Sequence, residues 1–236
     1  MSKKAEIRQS DIYSQILSNG EVKVVDLAKL YHVSMETIRT DLSTMENQGL
    51  IKKIHGGATL KESYSEVSVE YKMTENASDK QLIAKKALEY IQDGSTIFLD
   101  PGSTTLALAK YLPLKKDLLV ITNSLKIAQL VAETNHDLIF LGGKMLKKAK
   151  ATTGSFTNNH LDSLHIDTCF LGCDGFMNMD GPTTFAFEEM EVKQHALRNS
   201  TKKYLLADTS KFHKTGTYKF ANFSDFDCIF TTFLNN

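Results

Sequence analysis

From residue 80 onward, short apolar runs alternate with segments of helical periodicity, and this alternation restricts the fold more than any other feature of the chain. The runs are STIFLD, LLVIT, DLIFLGG, DTCFLGCDG, KYLLAD and FDCIFTT. A helical stretch, KQLIAKKALEYI, precedes the first, with Ile83, Ala87, Leu88 and Ile91 on one face. Further helical stretches start at about Thr104 and Ser124 and lie near Phe156 and Glu188. A strand that is apolar along its whole length must be covered on both faces, and helices interleaved between such strands supply the cover. The expected fold class is α/β with a mainly parallel sheet.

The pattern differs before residue 60. Ile7, Ile12, Ile16 and Leu17 recur at roughly helical spacing, and VDLAKLY makes a short second helix ended by HVS. Ser34 can cap a third helix, METIRTDLSTMENQG, by accepting from an early free N–H. Ile38, Leu42 and Met45 then share one face and should pack on the first two helices, while Glu36, Arg39, Thr40 and Ser43 fall opposite. Gly49 suits the helix stop. LIKKIH, Gly56-Gly57 and ATL read as a hairpin with Lys52, Lys53 and His55 near its tip. Three helices and a hairpin make a winged helix-turn-helix, whose third helix enters the major groove of DNA. Periodicity alone leaves a protein-binding helical module equally open. Between the two parts, KESYSEVSVEYKMTENASD is polar and without sustained periodicity, so the expected domains are 1–60, a linker 61–79, and 80–236.

Bulk composition is neutral on partners. The chain of 236 residues carries 28 Lys and Arg against 28 Asp and Glu, so nucleic-acid binding has to come from a local arrangement. No apolar run approaches a membrane span, and the N-terminus, MSKKAEIRQSD, has no apolar core after its lysines, so neither membrane nor secretion is expected. Three cysteines, Cys169, Cys173 and Cys228, suit a reducing, cytoplasmic compartment.

Arg8, Ile12, Ile16, the run Ser34-Met-Glu-Thr37-Ile38-Arg39-Thr40-Asp41-Leu42 and then GLIKKIHGGA resemble the DNA-binding segment of the DeoR family of bacterial transcriptional regulators. The resemblance implies a double-stranded operator as partner. Arg39 is the best candidate for a base or phosphate contact, Thr37 is placed for a phosphate, and Lys52 and Lys53 should meet phosphates without reading sequence. Ser34, Glu36, Thr40, Ser43, His55 and Gly56 complete the expected DNA face. Thr40 stands where the family usually has a basic or amide residue, which removes a charge from that face. Asp41, unsuited to phosphate, is expected to make a structural salt bridge or cap inside the module.

The resemblance continues through DPGSTT, ITNS, LGG, the region of Gly154, LGCDG, EMEVK and ADTSKF. These segments fall in the order of the DeoR effector domain, a Rossmann-like fold similar to ribose-5-phosphate isomerase, which implies a phosphorylated sugar as ligand. The residues read alone point the same way. Gly102 permits close backbone approach, and Ser103, Thr104 and Thr105 offer hydroxyls and N–H groups to an anion beside Asp100, although a plain capped turn would look alike. Asn123 and the Gly142-Gly143 pair end the next strands, and ligands of open parallel sheets lie outside such strand ends. Asp174 ends a fourth strand. Lys211, in ADTSKF, can neutralise a phosphate unless it is simply solvated. Glu189 and Lys193 are adequately explained as an exposed i, i+4 helix pair, and a pocket role for Glu189 rests on the family position.

No catalytic residue, metal or cofactor is expected. Cys169 and Cys173 lack paired histidines at zinc spacing, and the other histidines form no triad or H-E-x-x-H signature. The isomerase loop, by resemblance, carries several acids where LGCDGFMN keeps Asp174 alone. A pocket that binds without turnover is therefore expected. An isomerase-like enzyme fused to a DNA reader and a purely oligomerising domain remain the alternatives. Two half-sites imply a homodimer or homotetramer.

Overall fold

A computed structural model describes residues 3–60, 72–73 and 75–232. The chain divides into two compact units, Met1–Tyr71 and Lys72–Asn236.

In the first unit, helices α1 (Lys3–Asn19), α2 (Val24–Leu30) and α3 (Met35–Asn47) pack on a small antiparallel sheet of β1 (Glu21–Lys23), β2 (Ile51–Ile54) and β3 (Gly57–Leu60). Ser34 caps α3, its Oγ accepting from Thr37 N at 3.1 Å. Ile38, Leu42 and Met45 are buried with Ile12, Ile16 and Leu27, as the helical spacing predicts. The side chain of Leu17 lies outside the described residues. Strand β1 was not legible as a separate element, because three residues show no period. It explains the double glycine of the hairpin: Gly56 turns at φ +77°, and a Cβ on Gly57 would come within 2.1 Å of Val22 O on β1. Asp41 is buried, accepting from Arg8 Nε at 2.6 Å and Gln9 Nε2 at 2.9 Å. It ties α3 to α1 and does not face solvent.

In the second unit the strands anticipated from the apolar runs all form. They are β4 (Thr96–Leu99), β5 (Leu119–Thr122), β6 (Asp137–Phe140), β9 (Ile166–Gly172), β11 (Ser200–Leu206) and β13 (Cys228–Phe230), in one sheet ordered β13-β11-β9-β4-β5-β6. Every neighbouring pair is parallel. Successive residues of β4 serve opposite faces. Ile97 and Leu99 join a core with α4 (Ala77–Leu88), α5 (Ser103–Ala109) and α6 (Leu125–Val131). Phe98 joins a second core with α7 (Ser155–Asp162) and α8 (Phe187–Arg198). This double burial is why the strands read as continuous apolar runs. Helix α4 begins at Ala77, inside the stretch read as a linker; residues 61–71 and 74 of that stretch lie outside the described residues.

The chain runs outward through β5 and β6, then returns to place β9 on the other side of β4. The winding direction therefore reverses between β4 and β9, where open α/β sheets hold their ligands. Two antiparallel ribbons stand at the strand ends: β7 (Lys144–Leu146) with β8 (Ala151–Thr153), and β10 (Thr183–Thr184) with β12 (Tyr218–Lys219). Thr152 N donates to Asn123 O beyond β5, and Asp174 N to Thr183 O beyond β9. Among the described residues, no helix is long and apolar enough to cross a membrane.

Candidate functional site

The solvent side of α3 carries Glu36, Arg39 and Thr40 fully in the open, with Thr37 and Ser43 half-buried at its margin. Arg39 Nη1 lies 3.3 Å from Glu36 Oε2, and both side chains are mostly exposed, so this pair contributes little and is readily exchanged for another partner. On the hairpin, Lys53 Nζ reaches Ser43 Oγ at 3.0 Å and Glu46 Oε2 at 3.5 Å, which joins hairpin to helix. Lys52, His55 and Gly56 are exposed beside it. All the residues expected to meet DNA thus lie on α3, its cap or the hairpin.

In the second unit, Asp100 follows β4 and is buried. Its Oδ2 accepts from Gly172 N at 3.0 Å and from Lys193 Nζ, which also donates to Gly172 O at 3.0 Å. Lys193 is not the exposed partner of Glu189 that an i, i+4 spacing suggested. It is 4% exposed, because Lys193, Ala196 and Leu197 share the face of α8 turned to the sheet. Burial works against the Lys193 charge, but Asp100 and Glu189 outweigh it and raise its pKa.

Asp174, just past β9, is buried as well. Its Oδ1 accepts from Lys72 Nζ at 2.6 Å, and its Oδ2 from Phe185 N at 3.0 Å. The Thr184 hydroxyl lies 3.1 Å from Asp174 Oδ2 and 2.7 Å from Glu189 Oε2. One proton cannot serve both carboxylates at once. Burial opposes the Asp174 charge, yet Lys72, Lys211 and Lys193 outweigh it and hold the pKa at about 2.

A third carboxylate, Asp208, follows β11. It accepts from Asn76 Nδ2 at 3.2 Å and Ser210 N at 2.9 Å, and its Oδ2 lies 3.7 Å from Lys80 Nζ and 4.0 Å from Lys211 Nζ. Burial is again outweighed, here by Lys211 and Lys80, and the Asp208 pKa stays at about 2. Burial lowers Lys80 to about 8, against the pull of Asp208. Lys211, expected to neutralise a phosphate unless simply solvated, is buried within this group.

The DPGSTT loop divides its hydroxyls. Thr105 Oγ1 donates to Asp100 O at 2.6 Å and lies 3.0 Å from Gly102 O, so it holds the loop itself. Thr104 is also buried, and Ser103 is half-exposed. Gly102, at the N-cap position of α5, has no side chain with which to cap its first turn. Asn123 Nδ2 donates to Thr152 O at 2.7 Å, and its buried Oδ1 has no hydrogen-bond partner among the described residues. Gly142 O accepts from Thr157 Oγ1 at 2.7 Å, and Gly143, at φ +152°, leaves no room for a Cβ against Thr157 and Thr153. The glycine pair therefore sets a close packing of loop on helix. Burial pushes the Cys169 and Cys173 thiols up to about 12, so neither is a ready nucleophile. Among the described residues, no group of three or more His, Cys, Asp or Glu side chains is placed to hold a metal ion.

Asp100, Asp174, Glu189 and Lys211 therefore meet at the strand ends around the reversal point, joined by Lys72, Lys80, Lys193 and Asp208. The lysines escaped the sequence reading, although one signal was present. Lys80 stands at i before the buried Ile83, Ala84 and Ala87, at the head of an apolar stripe where a solvated lysine has no place.

A family model described as the DeoR C-terminal sensor domain matches residues 75–232, and one described as the DeoR-like helix-turn-helix domain matches residues 8–64. The chain belongs to the DeoR family of transcriptional regulators. The lactose phosphotransferase system repressor of Staphylococcus epidermidis is 34% identical over 230 residues, 95% of this chain and 90% of that protein. An uncharacterized HTH-type transcriptional regulator of Bacillus subtilis, FruR, is 34% identical over 225 residues, again 95% and 90%. Among solved structures, eIF2B delta from Chaetomium thermophilum superposes at TM-score 0.51 with 14% identity, over 68% of this chain and 58% of that one. Ribose 5-phosphate isomerase A from Methanocaldococcus jannaschii superposes at TM-score 0.40 with 20% identity, over 58% and 54%. This DeoR-family regulator thus spans little more than half of either structural neighbour, and 90% of both regulator relatives.

Proposed function

We propose that this regulator is a repressor of a carbohydrate-use operon, acting in the cytoplasm, and that a phosphorylated sugar controls its hold on operator DNA. Residues 1–60 carry the DNA face and 80–236 most of the sensor, and the stretch 61–79 that joins them adds Lys72, Asn76 and the start of α4 to the sensor. The observation that carries the sensor reading is the meeting of Asp100, Asp174 and Glu189 with buried lysines at the β4–β9 reversal point, beside the first turn of α5, whose N-cap is Gly102. Carboxylates accept from sugar hydroxyls, and uncapped N–H groups with Ser103 suit a phosphate. The repressor relative named for a lactose phosphotransferase system supports a carbohydrate effector.

The same geometry favours binding over turnover. An aldose–ketose isomerase needs a carboxylate able to take a proton. Lys72 and its neighbours hold Asp174 at about 2, and although burial raises Asp100, its Oδ2 is already taken by Lys193 Nζ and the Gly172 N–H. The protein acts as a homodimer or homotetramer, each winged helix engaging one half-site.

A thermal-shift panel tests this reading. At about 100 times its Kd, a ligand specific for the native state contributes about 2.7 kcal/mol, a shift of several degrees. One or more sugar phosphates should produce it, and the matching free sugars should not. Each binder should also be recovered unisomerised after prolonged incubation. If no sugar phosphate moves the transition, the sensor reading fails; turnover of a binder would restore the enzyme reading.

A further inference from the structure

Most of the hydroxyls along the open side of α3 are already committed. Ser34 Oγ and Thr37 Oγ1 lie 2.9 Å apart. Thr40 Oγ1 donates to Glu36 O at 3.0 Å, Ser43 Oγ to Arg39 O at 2.8 Å, and Thr44 Oγ1 to Thr40 O at 3.0 Å. The Thr40, Ser43 and Thr44 protons serve the helix, and the Ser34–Thr37 pair keeps one proton to donate at the helix start, so the rest of the reading chemistry is narrow: the Glu36 carboxylate, the Arg39 guanidinium, and one apolar side chain, Met35, 46% exposed at the first residue of α3. Met35 and Arg39 are four residues apart, on neighbouring positions of one helix face.

Residues at the N-terminal end of a reading helix meet base edges. Each group here has a specific complement in the major groove. The guanidinium matches guanine O6 and N7, the carboxylate matches the cytosine N4 amine, and an apolar group matches the thymine methyl. A phosphate would repel Glu36 and offers nothing to Met35. The Glu36–Arg39 couple, joined at 3.3 Å, suits the two bases of a C·G pair.

We infer that Met35 is a sequence-reading residue, packing on the methyl of a thymine next to a C·G pair taken by Glu36 and Arg39. Thr40 also owns a methyl, so the test separates the two. Double-stranded DNA enriched from a random library by the full-length protein serves as probe. Each thymine of the enriched half-site is replaced in turn by uracil, which removes only the methyl, and Kd is read by fluorescence anisotropy at fixed salt. One thymine per half-site should show about a fourfold loss, the effect of burying one methyl group. Met35→Ala should bind the thymine and uracil forms equally, and Met35→Leu should keep the discrimination. Should Met35→Ala lose its circular-dichroism spectrum, Met35→Gln makes the same comparison. Uracil that is silent at every position overturns the assignment. So does discrimination that survives in the Met35 variants, or that Thr40→Ser abolishes instead. An enriched half-site without thymine overturns it as well. Failure to enrich any sequence sinks it together with the repressor reading, and so is distinct from the other outcomes.

Discussion

Lys193→Met should lower the stability of the sensor unit by about 3–5 kcal/mol, because it removes the partner of a carboxylate that stays buried. Asp100 is 2% exposed, and without Lys193 its Oδ2 keeps only the Gly172 N–H. Methionine matches the lysine stem in length, so the loss reports the charge and not a cavity. The double variant Asp100→Asn with Lys193→Met should recover most of the loss, since replacing both members of a buried pair by neutral groups is often close to neutral. Denaturant unfolding followed by far-ultraviolet circular dichroism gives both values. A cost below about 1 kcal/mol that stays flat with pH would mean that Lys193 is solvated in solution, the role its spacing to Glu189 first suggested, whereas a cost that grows as pH rises would mean that burial keeps Asp100 protonated in the variant.

Arg39→Ala should weaken operator binding by about 1–3 kcal/mol and leave folding untouched. The guanidinium is open to solvent and its pair with Glu36 is exposed, so its removal should change the unfolding transition by no more than about 0.5 kcal/mol. The thermal shift produced by a sugar phosphate should also persist, because Arg39 belongs to the other unit. Discrimination between operator and random duplex should fall with the affinity if Arg39 reads a guanine. A uniform loss on both duplexes, with a shallower salt dependence, would place it on phosphate.

These residues also mark where the sequence was readable. The parallel sheet was legible because double burial leaves strands such as Ile97-Phe98-Leu99 apolar throughout, a pattern no solvent-facing strand produces. Helix α3 was legible from its Ser34 cap and the Ile38, Leu42, Met45 stripe. Asp41 was excluded from the DNA face by charge alone, and it does turn inward to Arg8 and Gln9. What escaped falls into two kinds. Strands β1, β7, β8, β10 and β12 are too short to show a period and exist because a tertiary neighbour pairs with them. The lysines of the crevice, Lys72, Lys80 and Lys193, are held by carboxylates distant in sequence, and the place of Lys80 at the head of an apolar stripe was the local mark available. The DPGSTT loop lies between these cases. Its position beyond β4 was readable, but the inward commitment of Thr105 to Asp100 O was not.

The central claim is that sugar-phosphate binding and operator binding are coupled. It is tested most directly by measuring operator affinity, by anisotropy at fixed salt, with and without a saturating amount of the sugar phosphate that gives the largest thermal shift. The predicted result is a weakening of about 5- to 150-fold, with the same factor lost from sugar-phosphate affinity when operator is saturating, because coupling free energy is reciprocal. Operator affinity that stays the same while the sugar phosphate is demonstrably bound would contradict the claim.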